Sequence, residues 1–303
     1  MTMRTCRISP ALPPVPVIAL GIDAFGSGVQ DETAFALLDS FAAAGGTMID
    51  TAHVYGGGNS ECCLGRWLQE RGNRARMLVA SKGAHPSAQQ PHRLAAADIA
   101  QDVGESLERL GIAHIDLYWL HRDEPERPVS EIIDALESHR QAGRISAYGA
   151  SNWSLERLIA AAAYATQRGV PGFCAAQQGW ALAERSPDHP GWPGCRYIGE
   201  EDRAWHQRSG LALCAFTPQA RGFFAKDVAD YDTPVGRARR ERARQLAVGL
   251  GVSANQIALA WLTNQSFPGI AIVGAHRPAQ LADSLAAGSI ALSPAQVAWL
   301  ADG

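Results

Sequence analysis

Short apolar runs recur along the chain at residues 17–20, 47–50, 77–81, 115–119, 145–149, 173–176, 211–215 and 270–273. They are apolar throughout, without polar alternation, which is how parallel strands covered on both faces read. Helical patterns lie between them. After the second run, Leu64, Trp67 and Leu68 share one helical face, and Ser60 is placed to cap that helix. After the third, Ile99, Val103, Leu107 and Leu110 repeat at three- and four-residue steps. Ser154 opens a predicted helix carrying Leu155, Leu158, Ile159 and Ala162. Ser253 and Gln256 have the spacing of a capping box. Pro278 suits the first turn of a helix bearing Leu281 and Leu285.

Strand then helix, repeated eight times, predicts an α/β fold: a (β/α)8 TIM barrel, with residues 1–303 as one domain. The Pro/Gly-rich stretch 186–194 and the segment 217–234 exceed minimal connections and are expected as extended loops over the C-terminal mouth. An open doubly wound sheet is the alternative. No Gly-x-Gly-x-x-Gly follows any of the runs, which counts against it.

Composition narrows the class. A 47% apolar and 19% charged chain of 303 residues has material for a large core. A net charge of −3 argues against nucleic-acid and anionic-membrane partners, which favour basic surfaces. The arginine cluster 237–244 reads as a solvated helix face. Six cysteines without Cys-x-x-Cys spacing fit reduced thiols and no metal site. Pro10, Pro13, Pro14 and Pro16 interrupt the apolar N-terminal stretch, and no run approaches the ~20 apolar residues of a membrane span, so a cytoplasmic location is expected.

In such a barrel, catalytic groups gather at the C-terminal strand ends. The second run ends in Asp50, with Tyr55 on the following loop; the third leads to Lys82 and the fourth to His121. The fifth leads to Ser151 and Asn152, and the sixth to Gln177. Singly, each reads as structural: a turn cap, a core aromatic, a satisfied buried histidine. Lys82 is harder to dismiss, because a lysine aimed at a barrel centre loses hydration unless an anion meets it. Asp50, one strand away, is the obvious partner.

Together these side chains suggest proton transfer to a carbonyl. An ammonium at ~4 Å in an effective dielectric of ~20 favours phenolate by roughly 4 kcal/mol, about three pKa units. Burial opposes this. The expectation is a Tyr55 acidic enough to protonate a developing alkoxide, with a neutral His121 directing an N–H at the same oxygen. No side chain supplies a hydride, so a redox cofactor is implied.

At these residues the sequence resembles the aldo-keto reductase superfamily, through most of the chain. "GTMIDTAHVYGGGNSECCLGRWL", "ASKG" and "DLYWLH" resemble the segments carrying its aspartate, tyrosine, lysine and histidine. "YGASNWS", "QIALAWL" and "IVGAHRPAQL" resemble later signatures in the right order. The resemblance implies Tyr55 as general acid, Lys82 and Asp50 as its tuning pair, and His121 as the group that orients the carbonyl. It also implies a nicotinamide cofactor held without a glycine loop. Ser151, Asn152 and Gln177 would hold its carboxamide, and Trp180 would stack on its ring.

Thr217 and Gly222 belong to "TPQARGFF", which resembles the loop over the pyrophosphate. By the same resemblance, Gly274, His276, Arg277 and Gln280 would occupy the region meeting the adenosine 2′-phosphate and adenine. Arg277 tilts the expectation to NADPH (NADP+) over NADH. Val273, Ser284, Gln219 and Arg221 depart from commoner residues; Arg221 reads equally as a phosphate contact or as solvated.

The leading expectation is an NADPH-dependent reductase of aldehydes or ketones, reversible to alcohol oxidation, acting on small molecules. A second is an NADPH-binding regulatory module resembling potassium-channel β-subunits. A third, a metal-dependent hydrolase using Asp50, His53 and His121, has a poor ligand set. Phe25, His53, Trp153, Trp192, Phe223 and Phe224 are candidates for the pocket wall, with loop packing as the equal alternative for each.

Overall fold

The computed structural model describes residues 2–302. Two short strands, β1 (Thr5–Cys6) and β2 (Val15–Pro16), pair antiparallel as a hairpin that the apolar-run pattern does not predict. Eight parallel strands follow: β3 (Ile18–Gly21), β4 (Met48–Asp50), β5 (Leu78–Gly83), β6 (Ile115–Leu120), β7 (Ile145–Ser151), β8 (Ala175–Gly179), β9 (Ala212–Phe216) and β10 (Gly269–Val273). They close into a barrel in chain order, with β10 pairing back on β3. Each predicted run is present in its predicted order, within a few residues at each end.

Helices α1 (Asp31–Ala43), α2 (Asn59–Arg71), α3 (Ala96–Leu110), α4 (Val129–Gln141) and α5 (Leu155–Arg168) cover the first strands. The ring continues with α6 (Glu200–Ser209), α7 (Pro234–Leu250), α8 (Ala254–Thr263), α9 (Pro278–Ala286) and α10 (Pro294–Asp302). The Ser154 cap, the Ser253/Gln256 capping box and the Pro278 start form as expected. Ser60 is a correction. The α2 N-cap is Gly58, and the Ser60 hydroxyl instead donates to the Ile22 carbonyl at 2.7 Å beside Thr51. On α5 the buried face is Leu155, Leu158, Ala161 and Ala165, leaving Ile159 and Ala162 in solvent. The α7 arginines are not all solvated: Arg239 bonds the Ala301 carbonyl and Glu184, and Arg240 reaches Asp227.

The barrel interior explains where the polar residues go. Ala19, Met48, Leu78, Ala80, Leu117, Trp119, Ala147, Ala175, Ala212, Cys214, Ile270 and Ile272 pack in one internal cluster, which Ile8, Leu12 and Val15 of the hairpin segment close from below. Side chains along a strand alternate between faces. Stepping two residues beyond each of these interior positions places Gly21, Asp50, Lys82, His121, Gln177, Phe216 and Gly274 in the next layer up, at the mouth. Trp119 fills the layer beneath; Gly149 on β7 leaves it room, because a Cβ there would lie 2.4 Å from the indole ring.

Candidate active site

Lys82 is buried and its ammonium has three partners: the Asp50 carboxylate, the Thr51 carbonyl at 2.8 Å and the Tyr55 hydroxyl at 3.1 Å. Those use all three N–H donors of a lysine. Asp50 is gripped from the other side by Gln177 Nε2, which donates at 2.8 Å. The 3-10 turn Tyr55–Gly58 after β4 carries Tyr55 back over this pair, with Lys82 Nζ 4.6 Å from its ring centre. The His121 ring meets Tyr55 edge-on at 5.6 Å. The four residues expected to form a tetrad are thus brought together.

Burial favours loss of the Lys82 proton, but Asp50 and Tyr55 outweigh it and hold the ammonium above the ordinary lysine value. At Asp50 burial outweighs the Lys82 charge and holds the carboxyl above the ordinary carboxylate value, with the Lys82 and Gln177 hydrogen bonds opposing that rise. Tyr55 departs from expectation. Burial outweighs the lysine's pull, and the phenol lies above its usual value, protonated throughout the neutral range. Burial, then the Lys82 and Arg122 charges, push His121 well below the usual imidazole value. It is neutral, with Nδ1 buried and unpaired among the described residues.

A cavity of about 460 Å3 opens over the tetrad, lined by Asp50, Tyr55 and His121 together with Ser151, Asn152 and Gln177. Asn152 has φ +64, and its amide donates to the His121 carbonyl and to Ser151 while its oxygen accepts the Arg196 N–H. Ala84, Thr217, Ala220 and Arg221 also have positive φ. Such strained non-glycine backbone collects where function holds it; here it lies at the exits of β5, β7 and β9.

A second cavity of about 750 Å3 adjoins, lined by Arg221, Gly222, Lys226, His276, Arg277 and Gln280. Thr217, Ile272 and Gly274 line both, so the two form one groove from the tetrad to the basic end. Arg277 and Lys226 have no acidic partner among the described residues. An elongated groove with amide groups at one end and unpaired cations at the other fits an extended dinucleotide with a terminal phosphate. Arg221 is paired with Asp230 at 2.9 Å while facing this groove, and Gln219 Nε2 donates to Ser284 at 2.9 Å, tying the loop to α9.

Trp180 lies outside the groove. It is turned into a cluster with Trp261 and Phe267, at ring distances of 4.9 and 5.9 Å. It stands three residues past inward-facing Gln177, an odd step that sends it to the opposite face. Phe216, two past Cys214 on β9, is an aromatic that does line the tetrad cavity. Of the six pocket candidates, Trp192 lines this cavity; Phe25, Trp153 and Phe223 are buried packing, and Phe224 borders the basic end. His53 bonds Glu105 at 2.7 Å and does not join Asp50 and His121 on the cavity wall, so the metal-hydrolase ligand set is not assembled. His85, Arg122 and Cys195 line the wall without having been anticipated.

The closed parallel barrel, which here carries an Asp–Lys–Tyr–His cluster at its mouth, is the architecture that known proteins similar to this chain also have. The sequence pattern of the aldo/keto reductase family matches residues 17–302, and the chain belongs to that family of nicotinamide-dependent enzymes. It is similar to an aldo-keto reductase from Klebsiella pneumoniae solved in complex with NADPH: 26% identity, TM-score 0.77, covering 99% of this chain and 94% of that one. It is 29% identical to the norsolorinic acid reductase of Emericella nidulans, over 90% of this chain and 72% of the relative. A putative voltage-gated potassium channel subunit beta of Schizosaccharomyces pombe is 27% identical over 78% of this chain and 74% of its own length. Among the described residues, no single helix is long and apolar enough to cross a membrane.

Proposed function

We propose that the chain reduces an aldehyde or ketone with NADPH, reversibly, using Tyr55 as general acid. The 3.1 Å contact between Tyr55 and a lysine already paired with Asp50, inside a cavity that His121 also lines, carries this reading. A bound nicotinamide supplies the hydride. The chain's own residues do the rest. Neutral His121 aims a donor at the carbonyl oxygen and fixes its direction. Tyr55 gives up its proton to that oxygen as charge develops, because an alkoxide is a far stronger base than a phenolate. Lys82 then stabilises the phenolate left behind, more strongly than it would in bulk water because its ammonium is buried. Asp50 keeps Lys82 charged, and Gln177 keeps Asp50 in place.

For the cofactor, Ser151 and Gln177 would hold the carboxamide, and Phe216, rather than Trp180, would stack on the ring. Thr217, Gly222 and Gly274 would follow the pyrophosphate, and His276, Arg277 and Gln280 the phosphorylated adenosine. The NADPH bound by the Klebsiella relative supports that choice over NADH. Asn152 acts indirectly, because both ends of its amide are already committed to the protein. The similarity to a putative channel subunit keeps a regulatory module as the second reading. Saturable NADPH binding with no NADPH oxidation across a broad carbonyl panel would favour it; turnover that depends on Tyr55 would exclude a purely regulatory role.

A further inference from the structure

The charges on the tetrad cavity are unevenly placed. Asp50 is neutralised by Lys82. His85 and His121 are both held below the usual imidazole value by burial, and burial keeps Cys195 a thiol. What remains is Arg122 beside His121, and Asp23 at the exposed rim after β3, three strands away around the barrel.

Arg122 is half-buried and has no carboxylate partner among the described residues. Nη1 donates to the His121 carbonyl at 2.9 Å and Nη2 to the neutral Cys195 sulfur at 3.4 Å. The acids that follow it in sequence are committed elsewhere. Asp123 takes both prongs of Arg157 at 3.0 Å, and Glu124 is paired with Arg127 at 3.0 Å. Across the loop, Asp202 is paired with Arg196 at 2.7 Å. The long loop also packs on the Arg122 stem. At Gly194, with φ +68, a Cβ would come within 3.1 Å of Arg122 Nε. A guanidinium positioned from two sides and surrounded by neutral partners retains free N–H donors and an uncompensated charge, which a ligand anion satisfies best.

We propose that Arg122 is a specificity-determining residue, and that the preferred substrate is an aldehyde or ketone bearing a carboxylate separate from its reacting carbonyl. The proposal rests on the reductase reading above. With the carbonyl between Tyr55 and His121, the carboxylate lies toward Arg122 and away from Asp23, whose charge disfavours the opposite placement. Trp192, on the same loop as Cys195, adds an apolar surface to the cavity lining.

The test compares kcat/KM for 2-, 3- and 4-carboxybenzaldehyde with that for 4-methylbenzaldehyde, using NADPH. The expected result is that at least one carboxy isomer exceeds the methyl compound by about tenfold or more, the usual scale of a charge-assisted bond. That ratio should collapse toward unity in Arg122→Met, survive partly in Arg122→Lys, and narrow with added KCl in the unaltered enzyme. Should Arg122→Met fail to fold, the lysine variant and the salt dependence decide. A methyl compound that matches all three carboxy isomers, or a preference kept in Arg122→Met, overturns the assignment while leaving the reductase reading intact. If none of the four aldehydes supports NADPH oxidation, this assignment falls, and the broad carbonyl panel separately decides the reductase reading.

Discussion

Lys82 Nζ stands 3.1 Å from the Tyr55 hydroxyl, and it is the phenol's one recorded hydrogen-bond partner among the described residues. The hydroxyl is therefore free on its cavity side. On the proposed reading, burial holds its proton until a base develops beside it, and the ammonium would then face the resulting phenolate.

Removing that ammonium should damage both chemistry and fold. Lys82→Met leaves Asp50 buried without its counter-charge, an arrangement that costs about 3–5 kcal/mol. The urea midpoint should fall accordingly, and adding Asp50→Asn should restore part of it. Activity should stay low in the double variant, because neither residue then supports the phenolate. A single variant as stable as the unaltered protein would show that the pair carries little of the fold's stability.

Stability should also fall in mild acid. His121 is depressed mainly by burial, and His206 and His139 are lowered for the same reason. For a depressed group the unfolded chain takes up protons first. The stabilisation is complete above the unfolded imidazole value near ~6.5 and is lost as pH falls from there toward the folded value. Urea midpoints measured between pH 7.5 and 5 should therefore decline, and His121→Gln should flatten the decline. An unchanged slope would mean that His121 is not held neutral by the fold.

The two aromatics near the cofactor groove should separate cleanly. Phe216→Ala removes a stacking surface worth roughly 1 kcal/mol and should weaken NADPH about fivefold in a fluorescence titration. Trp180→Ala instead empties a packed cluster and should cost about 3–5 kcal/mol of stability without a comparable loss of nucleotide affinity. The reverse pattern would return the stacking role to Trp180.

Arg277→Ala tests the nucleotide preference. Loss of a charge-assisted phosphate contact should weaken NADPH by roughly tenfold or more. NADH, which has no phosphate there, should be affected far less. Equal losses would remove Arg277 from the 2′-phosphate.

The barrel was legible in the sequence because parallel strands covered on both faces leave unbroken apolar runs, and eight of them survive as strands. The tetrad was legible for a related reason: Asp50, Lys82 and His121 are polar residues at the ends of those runs. The ring-stacking expectation at Trp180 overlooked strand parity. Trp180 and Phe216 both lie near strand ends, and only a two-residue count from Gln177 or Cys214 separates inward from outward. The phenol's net shift was misjudged because a Coulomb estimate for Lys82 carries no measure of how deeply Tyr55 is buried. Arg122 follows His121 directly, yet its lack of an acidic partner emerges only when Asp123, Glu124 and Asp202 are each seen to be paired elsewhere. The N-terminal hairpin was missed because two-residue strands leave no periodicity.

The proton-donating role proposed for Tyr55 has one most direct measurement: the rate of NADPH oxidation by Tyr55→Phe with an aldehyde the unaltered enzyme turns over, alongside NADPH affinity. A general acid at residue 55 predicts a rate at least about a hundredfold lower with nucleotide binding retained. A variant that still reduces the aldehyde at the original rate would contradict it.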